Sequence, residues 1–231
     1  MMEKLENFLN DCRTSPEMKR RLWMTTIGVL LSGFSVGMFQ NSRMGLDPFQ
    51  IFAHGLSCRL AGGMGFGTFY MILNLAILVF DLIFLDAKLI GIATFINLFL
   101  LGYVVDFSSW LWGVIFPAPG LAVRFFLLLA GLMILCFASA LYFVGDLGVS
   151  TYDALALTLS ARIRKIPFRF IRITTDLCCV IIGVLCGYAY GMRPGIGTIL
   201  TAFFMGPFID LFRTRVAEPL RKNGFRKQKC A

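Results

Sequence analysis

The chain has 231 residues, 58% of them hydrophobic and only 15% charged, with a mean hydropathy of +0.77. A water-soluble domain of this size has no interior able to hide so much apolar surface, so lipid is the solvent for most of it. The formal charge of +9 would suggest nucleic acid in a soluble chain, but here the cations stand beside the ends of apolar runs, where they orient spans in a bilayer.

Leu5, Phe8, Leu9 and Cys12 set an apolar stripe on residues 1–15, which suits a short helix on the cytoplasmic membrane surface. The first long apolar run has no small-residue cleavage site behind it, so it reads as a retained span rather than a signal peptide. Ser15-Pro16-Glu17 starts that span, Lys19, Arg20 and Arg21 anchor it, and it runs to about Asn41. Asp47 is a good N-cap and Pro48 a good first helical residue, which predicts a second helix fading near Arg59. At ~1.5 Å per residue this helix reaches ~18 Å, too short to cross. It is either re-entrant, dipping in and returning, or interfacial. Gly62, Gly63, Gly65 and Gly67 lead into a second span at 66–85, and Asp86-Ala87-Lys88 into a third at 90–113. Pro117, Pro119 and Gly120 break the chain there.

The remainder repeats this plan. A span at 122–144 is followed by a short helix at 150–163 and a basic link holding Arg162, Arg164, Lys165, Arg169 and Arg172. Spans at 173–191 and 195–212 complete it, and the basic tail beyond is predicted disordered or interfacial. The repetition is also written in the residues. Residues 45–57 read G-L-D-P-F-Q-I-F-A-H-G-L-S and residues 148–160 read G-V-S-T-Y-D-A-L-A-L-T-L-S. In a register one residue longer, Gly91-Ile92-Ala93-Thr94 answers Gly195-Ile196-Gly197-Thr198, Gly102 answers Gly206 and Asp106 answers Asp210.

Three crossings per unit is an odd number, so the second copy enters the membrane upside down. The charges agree: the first short helix has only Arg43 and Arg59 nearby, while the second is crowded with cations. The predicted fold is an all-α membrane protein with six transmembrane helices arranged as two inverted three-span repeats, each with a short re-entrant or interfacial helix. The units are an N-terminal amphipathic segment (1–20), a first membrane repeat (21–116), a second, inverted repeat (117–212) and a basic tail (213–231). Both termini are basic and read as cytoplasmic.

Inverted repeats with partial helices are a common construction of membrane transporters. A helix N-terminus carries unpaired N–H groups and about half a positive charge, so it can hold an anionic or polar group. Asp47 would already satisfy the first N-terminus, whereas Ser150 and Thr151 leave more room at the second. Asp47, Gln50, His54 and Ser57 share one face of the first short helix, and Ser150, Asp153 and Ser160 the matching face of the second. They form either the lining of a solute path, with His54 able to exchange a proton near neutral pH, or a wet face at the headgroups. Asn74 and Asp176 hold corresponding places in the second spans. A carboxylate at depth must face protein or water, and Arg172 stands one turn before Asp176 for an ion pair; Asp81 is read the same way. Asp106 and Asp210 close the third spans, as capping acids or as gating and proton-coupling groups. Gly33 with Gly37, and Gly183, Gly187, Gly191 and Gly195, are small-residue seams, read first as packing within the monomer and second as a homodimer contact. Seven cysteines, with Cys136, Cys178, Cys179 and Cys186 inside apolar runs, indicate neither a disulfide framework nor a metal site. No catalytic constellation is found, so an enzyme is not expected and no cofactor is called for.

At the repeated residues the chain resembles the YczE/YitT-like family of bacterial integral membrane proteins. The resemblance covers about residues 22–213. It rests on G-x-[DS]-[PT]-[FY] before each short helix and on P-G-I-G-T-I-L-x-A-x-x-x-G-P-F-I-D at residues 194–210. Family members more often carry Pro-Trp-Asp where Thr151-Tyr152-Asp153 stands here. The resemblance implies a six-span plasma-membrane protein that moves small solutes. The expected function is a secondary transporter, most readily an exporter of a small organic solute, with Asp47, Gln50, His54, Ser150, Thr151, Asp153, Asn74 and Asp176 at the site. A passive channel and a non-transporting accessory protein for a partner enzyme are the other two readings. The partners expected are the bilayer and the solute, without nucleic acid.

Overall fold

In a computed structural model, residues 16–84, 91–163, 168–187 and 194–221 are described. They form helices α1 (Pro16–Ser42), α2 (Pro48–Leu60), α3 (Phe66–Phe84), α4 (Ile92–Ile115), α5 (Leu121–Gly145), α6 (Thr151–Arg162), α7 (Phe168–Gly187) and α8 (Ile196–Phe212). No strand occurs among the described residues. The N-terminal stripe, the Ser15 cap, Arg164, Lys165 and Gly191 lie outside them. Six helices are long and apolar enough to cross a membrane, which makes this a multi-pass membrane protein. Of the tail expected to be disordered or interfacial, Arg213–Ala217 continue α8 as a π-helical turn and residues 218–221 are helical again, and residues 222–231 lie outside the described ones. Arg213 pairs with Glu218 at 3.4 Å and Arg221 donates to the Val144 carbonyl at 3.3 Å, which hold the segment against the end of α5.

Burial runs opposite to that of a water-soluble protein. Phe95, Phe99, Tyr103, Phe107, Trp110 and Val114 make one exposed stripe along α4, and Ile196, Ile199 and Phe203 another on α8. A continuous apolar surface of this kind is tolerated in lipid and would drive aggregation in water. Gln50, Asn74, Asn97, Thr151, Asp176 and Thr201, by contrast, are buried.

The long helices α1 and α5 pack side by side over most of their length, antiparallel, with Gly28 against Ala138 and Tyr142 and Gly131 against Ser35 and Met38. At one end Arg21 donates to the Gly145 carbonyl at 2.8 Å and approaches the Asp146 carboxylate at 3.1 Å. Each of the two helices ends in the same backbone turn. Arg43 and Asp146 take φ of 53° and 52°, and two residues later Gly45 and Gly148 take φ of 127° and 112°. That conformation favours glycine, and a side chain at either place would strike another helix start. Gly45 abuts Gly195 and Thr198, and Gly148 abuts Gly91 and Thr94. The hydrogen bonds match: Gly197 N–H donates to the Met44 carbonyl at 2.8 Å, and Ala93 N–H to the Leu147 carbonyl at 3.0 Å. Each turn thus supplies an acceptor for the unpaired N–H groups at the start of a long helix in the other half of the chain. The motifs repeated in the sequence are the places where the halves lock together.

The short helices also pack across halves, α2 along α7 and α6 against α3. A Cβ on Gly183 would meet the backbone of Ile51 and Phe52 at 2.5–2.7 Å, and Gly33 and Gly37 admit Val104 and Ser108 of α4. These small-residue positions therefore serve packing within the monomer. Cys136 is buried beside Phe39, Leu128, Leu132 and Leu135 as a small hydrophobe, while Cys178 is exposed.

The contacts predict opposite outcomes for two glycines. Gly183→Ala presses a methyl onto backbone that cannot yield and should cost about 1–3 kcal/mol. Gly206 lies in α8 with nothing within 4 Å of an added Cβ, so Gly206→Ala should be neutral or gain up to ~1 kcal/mol. Unfolding of the two variants in detergent, beside the wild type, reads the difference.

Candidate functional site

Two helix starts build the site. Asp47 caps α2, its carboxylate accepting from Gln50 N–H at 3.2 Å, with Pro48 as the first helical residue. Ser150 caps α6, accepting from Asp153 N–H at 3.1 Å while its hydroxyl donates to the Asp153 carboxylate at 2.7 Å. At the second start the Asp153 N–H is thus taken by the Ser150 hydroxyl, which is itself held by the Asp153 carboxylate. Both starts point inward and meet where Phe49 and Tyr152 stack, centroids 4.8 Å apart and planes at 18°. These two rings occupy the same position in the two copies of the motif.

Around the stack lies a cavity of about 100 Å³. Asp47, Gln50, Asn74, Ser150, Asp153 and Arg172 line it, joined by Ser32, Asn97, Ser139 and the three tyrosines 70, 142 and 152. Thr151 donates to the Asn74 side-chain oxygen at 2.7 Å, and Asn74 in turn donates to the Tyr70 carbonyl at 2.9 Å. Arg172 is the hub. It pairs with Asp153, stands 3.5 Å from Asp176, and lies over the Tyr152 ring with its guanidinium carbon 4.5 Å from the centroid. Tyr152 closes the circuit by donating to Asp176. A guanidinium among apolar spans must be paired, and this one has two carboxylates and a ring face.

Of the site residues expected from sequence, Asp47, Gln50, Asn74, Ser150 and Asp153 line this one cavity, with Thr151 and Asp176 bonded to its walls. Three stand elsewhere. His54 stacks on Phe66 at 3.8 Å, and the Gln40 amide donates to its Nε2 at 2.8 Å, which leaves the ring proton on Nδ1. Burial pulls its pKa down to about 4, so it is neutral near pH 7. Asp106 accepts from Gly67 N–H at 2.8 Å and caps the start of α3. Asp210 is exposed on α8, where its backbone carbonyl accepts from the Thr214 hydroxyl at 2.9 Å. Asp81 is buried, and neither of its carboxylate oxygens has a hydrogen-bond partner among the described residues, in place of the expected ion pair.

The Arg172–Asp176 pair was legible from the one-turn spacing of the two residues; the pairing of Arg172 with Asp153 and its place over the Tyr152 ring were not. Tyr70 and Tyr142 were not singled out by the sequence, and Tyr152 only as part of the Thr151-Tyr152-Asp153 motif. Only the correspondence of Tyr152 with Phe49 hinted at a shared centre.

The chain belongs to the family of unknown function DUF6198, matched over residues 19–214. An uncharacterized protein of Haemophilus influenzae is 23% identical to it over 198 residues, covering 83% of this chain and 85% of that protein. No solved structure matches.

Burial also raises Asp47, to about 6, against the opposing pull of its Gln50 N–H bond and of Arg172. A carboxyl whose pKa is raised on folding contributes stability below its unfolded value near 4 and loses it as pH climbs through about 6. Asparagine keeps the cap and removes the charge. Asp47→Asn should therefore gain on the wild type as pH rises from about 4 to about 6 and hold that gain above, measured by thermal unfolding across pH. A pH-independent difference would contradict the assignment.

Proposed function

We propose that this membrane protein is a secondary transporter, an exporter of a small organic solute across the bacterial plasma membrane, with its site at the cavity between two repeats. The observation that carries the reading is the meeting of two short helix starts at one polar cavity inside a bundle whose outer surface is apolar. Polar and ionisable groups at such depth are expensive in lipid and mark pathways for solutes, ions or protons. The cavity falls below the ~300–1,000 Å³ typical of sites for drug-sized ligands, so the solute is small or this conformation is closed around the site.

Two inverted repeats, residues 21–116 and 117–212, supply the moving parts. The doubled turn at Gly45 and Gly148, and the doubled bond to the opposite helix start, support one plan used twice. The first residues of each short helix, Pro48, Phe49 and Gln50 on α2 and Thr151 and Tyr152 on α6, are buried, which favours re-entrant over interfacial helices. Rocking of one repeat against the other would break the lock at one turn while keeping the second, opening the cavity to each side in alternation. Both termini lie in the cytoplasm in this scheme, and the resemblance to YczE/YitT-like proteins points to the same compartment and role. The protein acts without a cofactor and without enzymatic chemistry.

A passive channel is the second reading, favoured by the Phe49–Tyr152 stack, which would serve as its constriction. Flux through proteoliposomes separates the two. A carrier gives uptake that saturates and is accelerated by solute on the opposite side, whereas a channel gives linear flux that rises when Phe49→Ala removes the constriction. Absence of flux across cationic, neutral and anionic small solutes would overturn transport.

The inverted arrangement has its own test. Met64 and Ile163, exposed just beyond the two short helices, are replaced by cysteine one at a time in a background cleared of other reactive thiols. An impermeant thiol reagent should reach them from opposite sides of the membrane. Labelling from the same side would refute inverted repeats.

A further inference from the structure

We propose that the central cavity takes a small cation bearing N–H donors, of the class of protonated primary amines, and rejects small carboxylates. The inference rests on the cavity being the solute site and adds the charge and donor chemistry of what enters it.

Charge comes first. Asp47 and Asp153 line the cavity, and Asp176 stands behind Arg172 and Tyr152; Arg172 is the only Lys or Arg on the lining among the described residues. Arg172 is already engaged by Asp153 and Asp176, so Asp47 is left without a cation in contact among the described residues. An anion would meet a surplus of carboxylates. It would also find the N–H of Gln50 taken by Asp47 and that of Asp153 by Ser150.

The second observation is independent of the acids. Gln50 is 2% exposed and Tyr142 5%, and the Gln50 side-chain carbonyl and the Tyr142 hydroxyl have no hydrogen-bond partner among the described residues. Both residues line the same cavity. Buried polar atoms are rarely left unpaired, and the Gln50 carbonyl can only accept. What is missing there is a donor. An ammonium group brings three, matching the Gln50 carbonyl, the Tyr142 oxygen and the Asp47 carboxylate. Phe49 and Tyr70, both on the lining, add an aromatic wall that suits a short alkyl tail.

The test uses the full-length protein in detergent and in proteoliposomes, with methylammonium and ethylammonium chloride as probes against sodium chloride and sodium acetate. A ligand that binds only the folded state raises the melting temperature with its concentration. Either alkylammonium salt should raise it beyond the matched sodium chloride, and acetate should not. Asp47→Asn, which keeps the cap, should weaken alkylammonium binding about tenfold or more, the loss expected when a charged partner is removed. Gln50→Met should weaken it too while raising the melting temperature without ligand, because an unpaired buried carbonyl is gone. Stabilisation by acetate, no alkylammonium effect, or an effect unchanged in both variants would overturn the proposal. Flux separates this from the transport reading: movement of a neutral or anionic solute but no alkylammonium sinks the cation alone. Alkylammonium binding with no flux of any solute keeps the cation site and sinks transport.

Discussion

A guanidinium cannot stand unpaired among apolar helices, and the arrangement around Arg172 answers that constraint. Asp153 comes from the start of α6 and Asp176 from α7 itself, while Tyr152 offers both a ring face to the cation and a hydroxyl to Asp176. Satisfying one charge therefore fixes the rotation of α7, the depth of α6 and the place where its first turn ends. Once Tyr152 is set, Phe49 has a ring to stack on and α2 has a stopping point. The cavity is what remains between two helix starts whose own residues are held by each other. In lipid, where apolar side chains gain little by meeting other apolar side chains, such polar contacts and close backbone packing carry a larger share of specificity than in water.

The lock between halves works on a different principle. Helix starts buried in a membrane need acceptors for their N–H groups, and the irregular turns at 43–47 and 146–150 bring carbonyls to α8 and α4. The same turns lead directly into the short helices. A shift at either turn would reach one side of the cavity without passing through its side chains, which is the coupling that the proposed alternating access requires. Thr94 adds a bond to the Val149 carbonyl at 2.6 Å, one residue before the Ser150 cap, so α4 touches the lip of the site itself.

Much of this was legible in the sequence because the signals were local. Asp47-Pro48 announces a cap and a first helical residue, and α2 begins there; uncharged runs of membrane-spanning length became the long helices to within a few residues. The repeat was visible as glycines at matched positions, and Gly45, Gly91, Gly102, Gly148 and Gly195 proved to be contact points for backbone, while Gly206 meets nothing. What escaped was long-range. Asp176 one turn away announces an ion pair for Arg172, but its second carboxylate, Asp153, is nineteen positions away, and no local pattern shows that contact. Likewise the face shared by Asp47, Gln50 and His54 suggested a single lining, yet Gln50 looks into the cavity while His54 is turned to Gln40 and Phe66. Helical periodicity gives a face, and tertiary packing decides how far along that face the cavity reaches.

The central claim is that Arg172 and its carboxylates act as one unit that organises the meeting of the short helices. A double-mutant cycle on unfolding stability tests it most directly, with Arg172→Met, Asp153→Leu and the two combined. Removing one partner of a buried pair typically costs about 3–5 kcal/mol because the other is left charged and unpaired, whereas removing both is much cheaper. The account predicts that the double variant is more stable than Arg172→Met alone, with a coupling well beyond the ~0.5 kcal/mol scatter of independent sites. Simple additivity of the two losses would mean that the pair does not hold the site together.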